Sequence, residues 1–257
     1  SGQPTVCSET CVGRIRYLGV MLYDADKITQ AAAVVDEKDL YQAQLDVFLD
    51  PNDPKVIAEA LKQGIPQDWV KAAQISPVYK MAMDWKIAFP LHPEYRTLPM
   101  VWYVPPLSPI QNRAEAGQIG MDGDMPDVAS LRIPLRYLAN MLTAGDEEPI
   151  RVALERMLAM RGYMRAKTID GMINEALAEK VGLSPALIED MYKILALADY
   201  EDRFVIPTAH REMAEDAMDI RSGCGFTDGN GCSTGISQGS LFGGKGKKAF
   251  TFPEEAR

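Results

Sequence analysis

Two cysteines, Cys7 and Cys11, stand at the very start of the chain, before any helix or strand pattern is established. Two thiolates at this spacing can approach one metal site, but a [4Fe-4S] cluster needs four thiolates. In the bacterial ferredoxin pattern Cys-x2-Cys-x2-Cys-x3-Cys-Pro, the last cysteine binds the other cluster of a pair. Cys7 and Cys11 can therefore serve two different clusters, with further ligands from elsewhere. Buried thiols on one helical turn show the same spacing, so the spacing alone leaves both interpretations open.

The residues around these cysteines resemble a known family. Gly2–Val20 is similar to the end of the last cysteine group in the iron–sulfur beta subunit of membrane-bound respiratory nitrate reductase. Further segments similar to that family are Leu91–Ile110, Tyr137–Asn140 with Thr143–Gly145, and Tyr200–Val205 before His210–Glu212. The resemblance extends from residue 1 to about residue 232.

The resemblance implies that the chain is the C-terminal half of such a subunit, because the family places most of its cysteine ligands earlier. The chain opens on Ser1 rather than Met and shows no signal-peptide pattern. We therefore expect the localisation signals and most cluster ligands to lie in a preceding segment.

The resemblance also implies a function, that of a non-catalytic electron-transfer subunit. In the family, electrons pass from a haem-containing membrane gamma subunit that oxidises quinol to a molybdenum-containing alpha subunit that reduces nitrate to nitrite. Cys7 would bind the [4Fe-4S] cluster of its own cysteine group, and Cys11 would bind a neighbouring [4Fe-4S] cluster. Further [4Fe-4S] and [3Fe-4S] clusters would lie in the N-terminal part. No catalytic residue is expected in this chain, which would lie at the cytoplasmic face of the inner membrane, attached through its partner subunits.

Two alternatives stay open at this point. The beta subunit of a nitrite oxidoreductase resembles the same family and would carry electrons in the opposite direction. A docking scaffold, in which upstream residues carry all the redox chemistry, is an alternative of a different class.

Val12 follows Cys11 where the ferredoxin pattern has proline, which matches the nitrate reductase form.

Composition excludes several other classes of protein. A formal net charge of −9 and a pI near 4.9 argue against nonspecific nucleic-acid binding, which requires clustered cations. Apolar runs such as Met100–Val104 are five residues long, whereas a membrane span needs about 20. Four cysteines in 257 residues are too few for a disulfide scaffold. With 47% hydrophobic residues, the chain can bury a substantial core.

The predicted fold class is α+β. Residues 1–23 are interpreted as the remnant of a ferredoxin-like iron–sulfur domain, residues 24–220 as a mainly helical domain, and residues 221–257 as a glycine-rich flexible tail. The alternation of charged and apolar residues over Arg14–Leu18 predicts a short strand. The prolines between residues 90 and 109 exclude a continuous helix there.

Three amphipathic helices are predicted from apolar spacing and from capping residues. The first begins at Asp53-Pro54 and ends near Gly64. The second is indicated by the spacing of apolar residues between positions 150 and 158, and the third begins at Ser184-Pro185. Their predicted apolar faces are Val56, Ile57, Ala60 and Leu61; Ile150, Leu154, Met157 and Leu158; and Leu187, Ile188, Met191 and Leu195.

Other local patterns receive simpler interpretations. Gly235-Ile-Ser-Gln-Gly239 matches a hydrolase nucleophile elbow, but it lies in the glycine-rich tail without a following histidine. Cys224 and Cys232 are interpreted as free or buried thiols, and His92 and His210 as surface or packing residues. Arg14 and Arg16 can raise the potential of a nearby cluster, although strand arginines are more often solvated.

Overall fold

The structure is a computed structural model, and it describes residues 4–107, 117, 120–122 and 125–206. Over these residues it is a mixed, mostly helical fold, as the sequence predicts. The α-helices are α1 Val6–Glu9, α2 Ala25–Ala32, α3 Leu40–Leu45, α4 Pro54–Lys62, α5 Gln67–Ile75, α6 Pro77–Tyr79, α7 Leu135–Leu142, α8 Glu147–Arg165, α9 Glu175–Lys180, α10 Pro185–Tyr192 and α11 Tyr200–Arg203. Short 3-10 helices span Glu37–Asp39, Pro93–Tyr95 and Val128–Ser130, and π-helical turns span Lys80–Asp84, Ala166–Asp170 and Lys193–Leu197.

The strands in the described part of the chain are two residues long and form three antiparallel pairs. They are β1 Arg16–Tyr17, β2 Leu22–Tyr23, β3 Phe48–Leu49, β4 Trp102–Tyr103, β5 Met121–Asp122 and β6 Met125–Pro126. β1 pairs with β4, β2 with β3, and β5 with β6. The two strands that precede residue 24 are thus hydrogen-bonded to later parts of the chain.

The strand predicted over residues 14–18 is confirmed, and its position has a physical cause. Tyr17 is fully buried opposite Trp102, while Arg16 lies opposite Tyr103 and remains partly exposed. Because successive residues of a strand face opposite sides, the aromatic side chain enters the core and the arginine stays at the surface.

The main hydrophobic core lies against α8. Ile150 and Leu154 are fully buried there, and they share the core with Trp85, Phe89 and Trp102. A second, smaller cluster joins α4 and α5 to strand β2; its buried members are Leu22, Val56, Ala60, Val70 and Ala73. The fold therefore has one large core beside a satellite cluster.

The predicted helices all form, and their first residues follow from capping. Asp53 accepts a hydrogen bond from the Lys55 amide at the start of α4, where Pro54 occupies the first turn. Ser184 accepts from the Leu187 amide at the start of α10. Gly64 follows α4 with φ +85°, a left-handed conformation that favours glycine.

Burial agrees with most, but not all, of the predicted apolar faces. Ile150, Leu154, Met157 and Leu158 of α8 are all buried. Leu61 of α4 is 44% exposed and Leu187 of α10 is 39% exposed, so the burial predicted for these two is wrong. The spacing of apolar residues predicts which side of a helix is buried, but the neighbouring elements determine how many residues on that side are covered.

The proline-rich segment is extended, as predicted, over its described part. Between residues 91 and 107 the structure contains one 3-10 turn, Pro93–Tyr95, and strand β4. His92 begins this turn in a left-handed conformation, and its amide donates to the Met141 carbonyl at 2.7 Å. The rest of this segment, and the predicted tail over residues 221–257, lie outside the described residues. The division of the chain at residues 23 and 220 stays a prediction.

Truncation of Leu154 to alanine tests the role of α8 in the main core. Because this side chain is fully buried, Leu154→Ala removes apolar contacts and leaves a cavity. We expect the free energy of unfolding, measured by urea titration, to fall by about 2–5 kcal/mol. Leu197→Ala is the control, since Leu197 is 63% exposed and its loss should change the value by about 0.5 kcal/mol or less. Equal losses in the two variants would contradict this assignment of the core.

Candidate functional site

The two predicted ligand residues lie in one short segment, on and just after α1. Ser8 is buried beneath this segment, and its amide donates to the Thr5 carbonyl at 2.9 Å while the two hydroxyls lie 3.0 Å apart. Cys7 is exposed on α1, and Cys11 is partly exposed in the loop that follows. Both are free thiols, so both sulfur atoms are available for ligation.

The loop after α1 turns back on the sulfur of Cys11. The Arg14 amide donates to the Cys11 carbonyl at 3.0 Å, and Arg14 adopts a left-handed conformation with φ 48°. Burial by itself raises the pKa of the Cys11 thiol, but hydrogen bonds from the amides of Ile15, Arg16 and Gly13 outweigh it. Together with the charge of Arg16, they leave this pKa lowered. The thiolate, which is the metal-binding form, is thereby favoured.

A segment late in the chain packs on the cysteine loop and supports it. Arg14 Nη1 donates to the Ala196 carbonyl at 3.5 Å, across 182 positions of sequence. Partial burial, with the negative charge of Glu9, raises the pKa of Tyr200. The guanidinium of Arg203 lies 5.9 Å from the centre of the Tyr17 ring. Residues 193–204 therefore pack against the segment that carries both cysteines and stabilise it.

Polar atoms without partners are buried beside this loop. Arg203 is 8% exposed, and its Nε and Nη2 atoms have no hydrogen-bond partner among the described residues. The hydroxyl of the fully buried Tyr17 is likewise unpaired within that part of the chain. Buried polar groups are nearly always hydrogen-bonded in folded proteins, so a polar or charged neighbour at this surface would stabilise these atoms.

These features fit an iron–sulfur cluster in part. Two thiols, with backbone amides directed at one sulfur, are the donor set that such clusters use, and hydrogen bonds to the sulfur atoms are one determinant of their potential. Within the described ranges, no group of three or more His, Cys, Asp or Glu side chains could hold a metal ion. The described residues thus fit a site that is completed by ligands outside them.

The other residues considered as site candidates divide into two groups. His92 is partly exposed and lies 2.7 Å from Glu94 through its Nδ1 atom, which agrees with a surface role. His210, Cys224, Cys232 and Ser237 lie outside the described residues.

No helix in the described part of the chain is long and apolar enough to span a bilayer.

Sequence reasoning missed Tyr17 and Arg203 as parts of this site. Tyr17 could have been identified as a buried strand residue from its alternation with Arg16. No local pattern marks Arg203 as buried, since α11 is short and the residues before Arg203 in it are exposed. The contact between these two residues spans most of the described chain and follows only from the three-dimensional fold.

Comparison with known proteins identifies the class to which this fold and this cysteine segment belong. A family model described as respiratory nitrate reductase beta C-terminal matches residues 107–185. The chain is 65% identical, over 94% of its length, to the respiratory nitrate reductase 1 beta chain of Escherichia coli (strain K12), of which it covers 47%. It is 58% identical, over 90% of its length, to the nitrate reductase beta chain of Bacillus subtilis (strain 168), of which it covers 48%. The class is that of the beta chains of respiratory oxidoreductases.

Within that class, the chain belongs to the family of respiratory nitrate reductase beta chains. A Bradyrhizobium relative, a respiratory nitrate reductase beta chain, is 49% identical over 86% of this chain, which covers 66% of that relative. The chain spans about half the length of the Escherichia coli and Bacillus subtilis relatives that it matches. The resemblance seen in the sequence is thereby confirmed.

The lowered pKa of Cys11 gives a test of the loop geometry in the chain without metal. Arg16→Gln removes a positive charge that favours the Cys11 thiolate, so this pKa should rise. Less thiolate is then present at a given pH, and the pH profile of Cys11 alkylation by iodoacetamide should move to higher pH. Mass spectrometry of the digested chain distinguishes Cys11 from Cys7.

The control for this experiment is Arg132→Gln, which removes an exposed arginine from the loop before α7. Its alkylation profile should match that of the unaltered chain. An unchanged profile in Arg16→Gln, or a shift to lower pH, would contradict the described electrostatics of the cysteine loop.

Proposed function

We propose that this chain is part of the electron-transfer beta subunit of a respiratory nitrate reductase and performs no chemistry on nitrate itself. The subunit passes electrons from a haem-containing membrane gamma subunit to a molybdenum-containing alpha subunit that reduces nitrate to nitrite. The observation that carries the proposal is the pair of free thiols, Cys7 and Cys11, in one short segment of a chain of this family.

Cys7 and Cys11 are the iron ligands in this proposal. Cys7 binds a [4Fe-4S] cluster with the other cysteines of its group, and Cys11 binds a neighbouring [4Fe-4S] cluster. The remaining ligands, and further [4Fe-4S] and [3Fe-4S] clusters, belong to the part of the subunit that precedes this chain. When bound, the clusters supply one-electron redox chemistry, which amino-acid side chains do not provide here.

The chain's own residues hold and orient those ligands. The amides of Gly13, Ile15 and Arg16 donate toward the Cys11 sulfur and stabilise its negative charge. The Val104 amide donates to the Ile15 carbonyl at 2.9 Å, so the loop is fixed at its exit to a strand of the main core. An electron carrier benefits from this rigidity, because ligands that stay in place on oxidation and reduction need little reorganisation.

The family relations support nitrate reduction over the two alternatives. Similar beta chains occur in a dimethylsulfide dehydrogenase of Rhodovulum sulfidophilum and a selenate reductase of Thauera selenatis, at 28% and 31% identity. Because the names of these relatives specify other substrates, we infer that substrate choice lies outside the beta chain. The much higher identity to nitrate reductase beta chains favours nitrate over nitrite oxidation, and the cysteine loop favours a redox role over a docking scaffold.

The same proposal covers the organisation and the location of the subunit. Residues 1–23 end a ferredoxin-like cluster domain, and a mainly helical domain begins at residue 24. The subunit is peripheral at the cytoplasmic face of the inner membrane, attached through the alpha and gamma subunits. The β1–β4 and β2–β3 pairs join the cysteine segment to the helical part, so the two parts are packed together.

Replacement of the cysteines in the full-length subunit, assembled with its partners, tests this function. Cys7→Ser and Cys11→Ser should each weaken or remove the low-temperature EPR signal of a different [4Fe-4S] cluster, because each removes one of four thiolates. The double variant should lose both signals and electron flow from quinol to nitrate. Iron content per assembled complex gives an independent measure of cluster loss.

Cys224→Ser and Cys232→Ser are the matched controls, since these cysteines are not assigned as ligands. Their EPR spectra and iron content should equal those of the unaltered complex. If the double Cys7 and Cys11 variant keeps all its cluster signals and its quinol-to-nitrate activity, the ligand assignment is wrong and the docking scaffold is supported.

A further inference from the structure

Among the described residues, Arg203 is a buried cation without a matching anion. Within the described ranges it is the only lysine, arginine or histidine that is more than nine-tenths buried. Its Nε and Nη2 atoms find no hydrogen-bond partner, and no carboxylate of the described residues forms an ion pair with it. The neighbouring Glu201 and Asp202 are exposed and point their charge to solvent instead. A buried, unpaired charge is strongly unfavourable, so a compensating negative group is expected close by.

Aromatic rings account for part of the environment of Arg203. Its guanidinium lies 4.9 Å from the centre of the Phe204 ring and 5.9 Å from that of Tyr17. Both distances are within the range of cation–π attraction. Ring faces do not accept the in-plane N–H groups of a guanidinium as a carboxylate does, so Nε and Nη2 remain unsatisfied. The rings hold the charge in position without neutralising it.

The position of this charge relates it to the cysteine loop. Tyr17 belongs to strand β1, which follows the cysteine loop, and Arg14 in that loop donates to the Ala196 carbonyl, seven residues before Arg203. Burial raises the pKa of the Tyr17 hydroxyl, and the positive charge of Arg203 acts against this rise, so the two groups are electrostatic neighbours. Arg14 acts on the same hydroxyl but is exposed, and solvent screens its charge more strongly than that of Arg203.

We propose that Arg203 is the buried counter-cation of the cluster that Cys11 binds, and that its charge raises the midpoint potential of that cluster. The inference rests on the proposed function and adds a positioning residue to it. Reduction adds one electron to the cluster and moves no proton in this step. A fixed positive charge, shielded from water, stabilises the extra negative charge of the reduced cluster more than the oxidised one.

Neutral variants of Arg203 in the full-length assembled complex test the inference. Arg203→Gln removes the charge, and Arg203→Met removes it while keeping an unbranched stem over Tyr17 and leaving no buried polar group. Redox titration followed by EPR should show a lower midpoint potential for one cluster in both variants. We expect at least a tenfold shift in the ratio of reduced to oxidised cluster at a fixed potential, which corresponds to about 59 mV for one electron. Arg203→Lys retains the charge, so its midpoint potential should stay close to that of the unaltered complex.

Two controls separate this effect from general damage to the fold. Arg156→Gln removes an arginine of α8 whose buried Nε is likewise unpaired within the described residues, and whose Nη1 donates to the Trp85 carbonyl in the main core. Its cluster potentials should be unchanged. Iron content and the other cluster signals of the Arg203 variants should equal those of the unaltered complex.

Unchanged midpoint potentials in Arg203→Gln or Arg203→Met, with all clusters present, would overturn the inference and leave Arg203 as a packing residue. The inference would also be overturned if the midpoint potential were as low in Arg203→Lys as in the two neutral variants, because the charge would then not be the cause. Neither outcome depends on the cysteine experiment: loss of ligation in that experiment tests the proposed function, whereas the potentials test Arg203 alone.

Discussion

The pairing of β1 with β4 is the interaction on which the arrangement of this chain depends. Tyr17 and Trp102 lie opposite each other and are both almost fully buried. Tyr103 also exchanges two backbone hydrogen bonds with Phe89, at 2.8 and 2.9 Å, and the Trp102 ring packs edge-on against Phe48 at 5.4 Å. Strand β4 thus joins the cysteine loop on one side to the aromatic core on the other.

That anchoring explains how a small loop can hold a chemically useful thiol. Backbone amides can be directed at the Cys11 sulfur only if Gly13, Ile15 and Arg16 keep a fixed conformation. The β1 pairing holds Arg16, and the Val104 amide holds the Ile15 carbonyl. The left-handed conformation of Arg14, which is unfavourable for an arginine, is stabilised by these two contacts after it and by the hydrogen bond from its own amide to the Cys11 carbonyl. The electrostatics of the sulfur are therefore a consequence of packing in the main core.

The parts of this fold that sequence could predict are those specified by neighbouring residues. Asp53-Pro54 and Ser184-Pro185 mark helix starts because capping uses side chains and amides only two or three positions apart. The burial of Ile150, Leu154, Met157 and Leu158 follows from their 3.6-residue spacing. The exposure of Leu61 and Leu187 did not follow, because it depends on which elements pack beside α4 and α10. Cys7 and Cys11 were identifiable as a pair, but their surroundings were not.

Arg203 shows why the rest was not predictable, and what it adds to the site. An arginine in a sequence is expected at the surface, and its burial here results from packing against a strand near the other end of the described chain. Such burial is costly unless a negative group compensates it, and the described residues that face Arg203 supply only aromatic rings. The Cys11 loop shows the complementary feature, since its amides and Arg16 favour a negative sulfur. A cluster of negative net charge at this loop would be stabilised both by Arg203 and by the loop that carries Cys11.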